Sequence, residues 1–449
     1  MEEENHEMRG LAAASVVAFA AASGAAAPVI AQGGTQAAAP APLDHRAVVA
    51  EVRRVIAEKY VLPERRPALD AILAKGLASG RYDVREPAAL AERINQDLET
   101  AGRDRHLSFS FDPKQAALLS AAHREAEPDH SGFERQVRGA NHGITELKLL
   151  PGNVRYMAYD GFHWMGPESA AALDTAMRFL AGGDAVIIDI RRNGGGSPQA
   201  VQYLVSHFMD ADKPLVTFHM NGKPSPDRLS TLAELPAGRM VGKPLYVLTS
   251  GGSASAAEEF SGHIAGYKLG ELVGETTAGA GFRNELVPVG PGFVLSVSVG
   301  RAVLASTGKD WEAVGIAPTI KTPVPQALDA AHAHALRKLA ATADPAVRPR
   351  LEAIADATAA RGENRAPALA LAAYAGGYGE RTISAEEGKL YYQRAGRPRT
   401  RLIPLGGNVF AFETDPALRV DFEAAGAKAA AFSVGSVGEP SQGRYARTQ

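Results

Sequence analysis

The chain reads as an α/β protein preceded by a helical module and followed by a small β-rich module, and three patterns predict this. From about 44 to 99, apolar residues recur three and four positions apart between proline and glycine stops. From about 107 to 323, short apolar runs alternate with helix-period stretches, which implies a layered sheet with buried strands. From about 371 onward, short β-type runs are separated by glycine pairs and charged turns. A length of 449 residues exceeds one compact core, since domains usually hold about 100 to 200 residues.

In chain order, the stretch "GLAAASVVAFAAASGAAAPVIA" after Arg9 is apolar, alanine-rich and ends in small residues. It reads as a secretory signal over residues 1–31, cut near Ala31, which makes the mature protein exported, periplasmic or secreted, with no integral membrane span. A retained anchor is the rival reading, but alanine and glycine make the run only weakly hydrophobic. The acidic opening "MEEENHE" departs from the basic start of a signal, and Met8-Arg9 would begin one better. Residues 32–43 contain "QGGTQAAAPAP", a low-complexity linker that cannot bury a core.

The helical module is expected over 44–105, in "HRAVVAEVRRVIAEKYV", "PALDAILAKGLASG" and "EPAALAERINQDLET". The α/β core follows over 106–325. There "NVRYMAYDGF", "DAVIIDIR", "KPLYVLTS" and "FVLSVSVGRAVLA" read as strands, while "PESAAALDTAMRFLAGG", "SPQAVQYLVSHFM" and "SAAEEFSGHIAGYK" read as helices. Residues 326–365 read as a helical linker and 366–449 as a β-rich domain without an evident chemical constellation. In an open α/β sheet, chemistry gathers at the strand ends.

Composition removes several function classes. With no cysteine in the chain, disulfides, thiolate nucleophiles and cysteine zinc sites are excluded. A net charge of -2 supplies no field to draw nucleic acid. Any nucleophile is a hydroxyl, a carboxylate or an amine.

Two strand ends carry candidate chemistry. In "VIIDIRRNGGGSPQ", three glycines after a buried strand let main-chain N–H groups approach a ligand, as in a phosphate cradle or an oxyanion hole. No Gly-Lys-Ser/Thr and no Gly-x-Gly-x-x-Gly accompanies them, so neither nucleotide fingerprint is present, and an ordinary tight turn stays open. In "TSGGSASAAEEF", a strand, a glycine turn and a helix start place Ser250, Ser253 and Ser255 in the setting of a nucleophilic serine, although a plain helix cap needs the same residue type. Gly-x-Ser-x-Gly and Ser-x-x-Lys are both absent, so a base must come from elsewhere. His106 in "GRDRHLSFSF" stands where the helical module meets the α/β core, and histidine suits neutral pH.

Taken in order, "DRHLSF", "IIDIRRNGGG", "LTSGGSASAAEEF", "LVGETTAGAG" and "DWEAVGIAPTI" resemble the tail-specific, or C-terminal processing, serine protease family from about Asp44 to Pro323. Within that family the chain looks like the branch containing tricorn protease and interphotoreceptor retinoid-binding protein. The resemblance implies a crotonase-like ββα core. It aligns Ser255 with the nucleophile, and Ala256 with Gly194 or Gly195 as oxyanion-hole donors. Ser250 and Ser253 become turn and cap residues.

Where lysine-dependent members have Gly-Lys-Gly, this chain has Gly279-Ala280-Gly281. The resemblance therefore passes the base to His106, supported by Glu312 in "WEAVGIAPT". Thr319 replaces the usual aspartate of that string, and Arg105 stands where tricorn has a serine, so no fourth catalytic member is implied. Too few residues separate His106 from "NVRYMAY" for the PDZ domain many members carry.

The implied activity is peptide-bond hydrolysis on a polypeptide or peptide substrate, with no cofactor and no metal. A catalytically silent exported binder of apolar ligands or peptides, and an exported esterase, are the rival readings.

Overall fold

The computed structural model describes residues 43–448 apart from 103, 105, 123–130, 440 and 442. The expected signal and nearly all of the expected linker lie outside the described residues.

The chain opens with helices α1 (His45–Lys59), α2 (Arg66–Ala78) and α3 (Pro87–Gly102). Asp44 starts α1 by accepting the Ala47 N–H at 3.0 Å, which satisfies one of the four donors a helix start leaves free. Next come β1 (Ser108–Phe111), α4 (Pro113–Ala122), α5 (Ser131–Gly139), β2 (Ile144–Leu150), β3 (Val154–Tyr159), α6 (Pro167–Ala181) and β4 (Ala185–Asp189). They are followed by α7 (Pro198–Ser206), β5 (Pro214–Met220), β6 (Asp227–Ser230), β7 (Leu245–Thr249), α8 (Ala256–Gly266) and β8 (Glu271–Gly274). The core closes with β9 (Phe282–Pro288), β10 (Phe293–Leu304) and β11 (Ile320–Lys321).

A six-stranded sheet in the order β11-β8-β7-β4-β3-β2 forms the centre, parallel except for β2 at one edge. Its inner strands read as unbroken apolar runs because both faces are covered. In β4, Val186 and Ile188 join the core shared with α6, α7 and α8, while Ala185 and Ile187 face the opposite cluster. β7 divides in the same way, with Leu245 and Val247 on one side and Tyr246 and Leu248 on the other.

A second, antiparallel sheet in the order β1-β10-β5-β6, with β9 also paired to β10, carries the helical module. Val49, Val52 and Ile56 of α1, Leu69 and Leu73 of α2, and Leu90, Ile94 and Leu98 of α3 share one cluster with Phe293, Leu295 and Val297 of β10. The three- and four-residue spacing seen in the sequence is thus the buried stripe of each helix.

The stretch expected as a helical linker forms α9 (Ala327–Thr342) and α10 (Arg348–Glu363). Ala327, Ala331, Ala335 and Leu336 of α9 and Ile354 and Ala355 of α10 lie in the cluster on the second face of the central sheet. Their alanine stripes permit close approach, so they are a layer of the core rather than a spacer. After α11 (Leu371–Tyr374), eight strands from β12 (Gly376–Tyr378) to β19 (Gly443–Ala446) run as an antiparallel meander around Tyr374, Tyr378, Phe410, Phe422 and Phe432. The meander nearly closes on itself, because the Thr448 N–H donates to the Gly377 carbonyl at 2.8 Å. Among the described residues no helix is long and apolar enough to cross a membrane.

Candidate active site

The two strand ends singled out in the sequence lie side by side, since β4 and β7 are adjacent and parallel. β7 ends at Thr249, and the turn to α8 is stapled to the exit of β4 by two serines. Ser250 Oγ donates to the Arg191 carbonyl at 2.6 Å and accepts the Gly252 N–H at 2.9 Å. Ser253 Oγ donates to the Ile190 carbonyl at 2.8 Å and accepts the Ser250 N–H at 3.1 Å. Gly252 is needed for this closeness, because a Cβ there would stand 2.9 Å from the Arg191 carbonyl oxygen. Both hydroxyls are occupied in shaping the turn.

Ser255 differs from them. It sits at the N-cap of α8 with φ 53° and ψ -116°, a left-handed setting that costs a non-glycine residue about 1–3 kcal/mol and is found at functional turns. Ala256 opens the helix, where the first N–H groups have no intrahelical acceptor. The N–H groups of Ala257, Glu258 and Glu259 find the Ala254 and Ser255 carbonyls.

Gly195 packs directly against this residue pair. A Cβ built on it would lie 2.8 Å from Ser255 Cβ, 2.9 Å from the Ala254 carbonyl oxygen and 3.1 Å from the Ala256 nitrogen, and its φ is +110°. The glycine turn is held on its other side by Phe162, whose N–H donates to the Gly195 carbonyl at 2.9 Å and whose carbonyl accepts the Ser197 N–H at 2.7 Å. The Gly195 N–H itself donates to the buried Asn193 Oδ1 at 2.9 Å. That N–H must change partners before it can serve an oxyanion, whereas Gly194 is exposed and has open space beside it.

Glu258, to which the sequence reading assigned no role, joins these pieces. Its Oε2 accepts the Ser255 N–H at 2.9 Å and the Ala280 N–H at 2.7 Å, and its Oε1 accepts the Gly279 N–H and the Thr277 hydroxyl at 2.6 Å each. Burial raises this carboxyl above its ordinary value, and those four donors offset only part of the rise. The signal that marks it is the spacing Ser255-Ala-Ala-Glu258, the Ser-x-x-Glu of a capping box. Here the glutamate reaches beyond its own helix to fix the loop from 277 to 281. Ala280, at the position of the missing lysine, lies buried in that loop.

The same loop bonds Glu312, from the segment between β10 and β11, whose Oε2 accepts the Gly281 N–H at 2.6 Å and the Phe282 N–H at 3.0 Å. Glu312, Asp104 and His106 converge: one side-chain ligand atom from each lies within 4.8 Å of the others. His106 is placed there by β1, which pairs with β10 through Ser108 and Ser296, and Ser296 Oγ donates to the His106 carbonyl at 2.5 Å.

Asp104 Oδ1 accepts the N–H groups of His106 at 2.8 Å and Leu107 at 3.2 Å. Burial holds the imidazole below its ordinary value, and the Asp104 charge raises it in part. Burial, then the Asp104 carboxylate, push the nearby Tyr60 hydroxyl up, so it stays protonated.

Hydrogen bonds therefore link Ser255 through Glu258 and the 279–281 loop to Glu312, which lies in the cluster with His106. Among the described residues no hydrogen bond joins the His106 ring to Ser255 Oγ, and His106 Nδ1 is buried without a partner.

The profile of peptidase family S41 matches residues 153–322, and that of the N-terminal domain of Peptidase_S41 in eukaryotic IRBP matches residues 43–137. The carboxy-terminal processing protease CtpB of Bacillus subtilis (strain 168) is 29% identical over 183 residues, 40% of this chain and 36% of that protein. The chloroplastic carboxyl-terminal-processing peptidase 3 of Arabidopsis thaliana is 27% identical over 205 residues, 41% of this chain and 38% of that protein. The chain thus spans well under half the length of these curated relatives. Among solved structures, the photosystem II D1 C-terminal processing protease matches with a TM-score of 0.41 and 18% identity, over 63% of this chain and 94% of that one. Tricorn protease matches with a TM-score of 0.39 and 11% identity, over 62% of this chain and 34% of that one.

Proposed function

The chain belongs to peptidase family S41, and on that premise we propose that it is an exported serine peptidase that hydrolyses peptide bonds through an acyl-enzyme on Ser255, with His106 as general base. The observation that carries this reading is the strained Ser255 held against the Gly195 turn and tied, through Glu258 and the 279–281 loop, to the cluster that holds His106.

In the first half-reaction His106 takes the Ser255 hydroxyl proton as Oγ bonds to the peptide carbonyl carbon, and the C–N bond then breaks as His106 returns that proton to the leaving amine. In the second, His106 takes a proton from water, the water oxygen attacks the ester, and Ser255 Oγ leaves with the proton. Glu312 positions the imidazole. The Ala256 N–H, together with the Gly194 N–H or a Gly195 N–H released from Asn193, receives the oxyanion. A donor of this kind is worth about 3 kcal/mol in other enzymes. In this reading His106 closes on Ser255 when substrate binds, as catalytic hydrogen bonds often do. The apolar run before Ala31 supports the export part of this proposal.

The test is labelling by a fluorophosphonate, followed by turnover of casein against p-nitrophenyl esters. Labelling at Ser255, lost in Ser255→Ala and His106→Ala, is the expected result. A folded wild-type protein that never labels would exclude the enzyme reading and favour a silent binder, and turnover of esters alone would favour an esterase.

A further inference from the structure

We propose that the outer edge of β2 is a dimerisation surface, on which a second copy of this chain lays its own β2 antiparallel about a two-fold axis at Leu147. This edge lies three strands from β7 in the central sheet, and the proposal stands independently of the peptidase reading.

β2 ends the central sheet and is paired with β3 alone among the described residues. Its other side therefore presents a row of main-chain N–H and C=O groups, a ready template for another strand. Every side chain from Thr145 to Leu149 is exposed, with Leu147 at 38% and Leu149 at 61%. The register with β3 sorts them by face. Leu147 stands opposite Met157 and Leu149 opposite Arg155, on the side covered by α6, where the Arg155 guanidinium lies over the Phe179 ring at 4.8 Å. Glu146 stands opposite Ala158 and Lys148 opposite Tyr156, on the side covered by α9 and α10. There Lys148 Nζ is 2.7 Å from Glu146 Oε1 and 5.8 Å from the centre of the Tyr156 ring.

This charge pattern selects both the occupant and the register. A two-fold axis perpendicular to the sheet keeps each face continuous, so every such register is centred on one residue of the strand. Centred on Leu147, it sets Glu146 against Lys148 of the second copy and Lys148 against Glu146 of that copy, and the four charges alternate in sign around a square. On the other face Leu147 meets its own copy, with Leu149 beside it against Thr145. Centred on Glu146 or on Lys148, the axis would set like charges directly opposite, and a parallel in-register copy would do the same. Unlike charges and apolar side chains directly opposite favour pairing, whereas like charges oppose it. A strand of this chain thus complements itself at one register.

The strand spans about 23 Å at the usual rise, and the bulge between Ile144 and Glu146 confines regular pairing to its middle. The seam is accordingly small, of the kind that buries less than about 1,200 Å² and comes apart on dilution. Because the axis reverses strand direction, Ser255, in the turn after β7, and its copy lie at opposite ends of the joined sheet.

Sedimentation of the full chain over a dilution series should show a reversible monomer–dimer equilibrium. Glu146→Lys and Lys148→Glu each turn both unlike pairs across the seam into like ones, so either variant alone should dimerise at least about tenfold more weakly. Mixed in equal amounts, the two variants should associate at least as tightly as wild type, since the introduced lysine then faces the introduced glutamate and Lys148 faces Glu146. The chain has no cysteine, so Leu147→Cys supplies a single thiol directly opposite its own copy, and oxidised glutathione should cross-link it. Leu149→Cys, the more exposed position, stands about 13 Å along the strands from its copy, beyond the disulfide limit of about 7 Å, and should stay uncross-linked. A wild type that is monomeric at every concentration would overturn the proposal, as would charge variants that dimerise like wild type. A mixture no tighter than its components, or Leu149→Cys cross-linking as fast as Leu147→Cys, would overturn the register. Binding of an unrelated extended peptide along β2 of a wild type that never dimerises would give the edge to another occupant and likewise overturn the proposal.

Discussion

Replacing Gly195 with alanine should disable Ser255 while leaving the rest of the protein folded. The added methyl would start 2.8 Å from Ser255 Cβ, with the Ala254 carbonyl oxygen at 2.9 Å and the Ala256 nitrogen at 3.1 Å. Carbon atoms in contact settle at about 3.5 Å or beyond, so Ser255 Cβ must retreat by about 0.7 Å. The φ of +110° adds strain of about 1–3 kcal/mol for any residue with a Cβ. Because a misplacement of about 1 Å can cost about a hundredfold in rate, the second-order rate of fluorophosphonate labelling should fall by about 10- to 100-fold.

Gly251→Ala is the matched control, since no atom lies within 4 Å of its added methyl and its φ needs no glycine. It should label near the wild-type rate. Thermal unfolding of both variants checks that the folded fraction is intact at the assay temperature. A folded Gly195→Ala protein that labels within twofold of wild type would refute the argument that this turn sets the position of the nucleophile.

Glu258→Gln should lower stability by about 2–5 kcal/mol in a denaturant melt, because its amide NH2 must face two of the four donors that the carboxylate now accepts; an unchanged midpoint would contradict the shared role of Glu258. Ser253→Ala should cost about 1–3 kcal/mol, since it orphans the buried Ser250 N–H, yet should retain labelling, in contrast to Ser255→Ala. The acidic limb of the labelling rate should fall below pH 6.5, because burial depresses His106 and keeps it neutral to lower pH. Asp104→Asn should move that limb lower still, since it removes the charge that raises His106, and a limb at or above 6.5 would refute this. The same depression carries a stability cost: as pH falls below 6.5 the unfolded chain takes up the proton first, so stability is lost down to the folded value.

The broad architecture was legible because it is written in periodicities. "DAVIIDIR" is apolar throughout since β4 is covered on both faces, and the stripes of α1 to α3 repeat at the helical period because one side faces β10. The alanine-rich stretch from 326 to 365 reads as a linker in the sequence, since alanine gives weak contrast between faces, and only packing reveals that its helices close the second face of the sheet.

At the candidate site, the sequence by itself determined residue types at strand ends: a cysteine-free chain, a serine at a helix start, three glycines after a buried strand and a histidine at the module boundary. It could not rank Ser250, Ser253 and Ser255 by physics, because all three are small hydroxyls in one turn. The tertiary structure separated them, committing two hydroxyls to the carbonyls of Ile190 and Arg191 across the sheet and leaving Ser255 in the strained cap. It also decided that Gly195 touches the serine while its own N–H is held by Asn193, and that Glu258 and Glu312 grip opposite ends of the loop from 277 to 282. Those outcomes depend on main-chain donors brought together from distant segments. Local composition records which groups a chain owns, but the pairing of its buried donors and acceptors is settled only when the folded chain removes water from them.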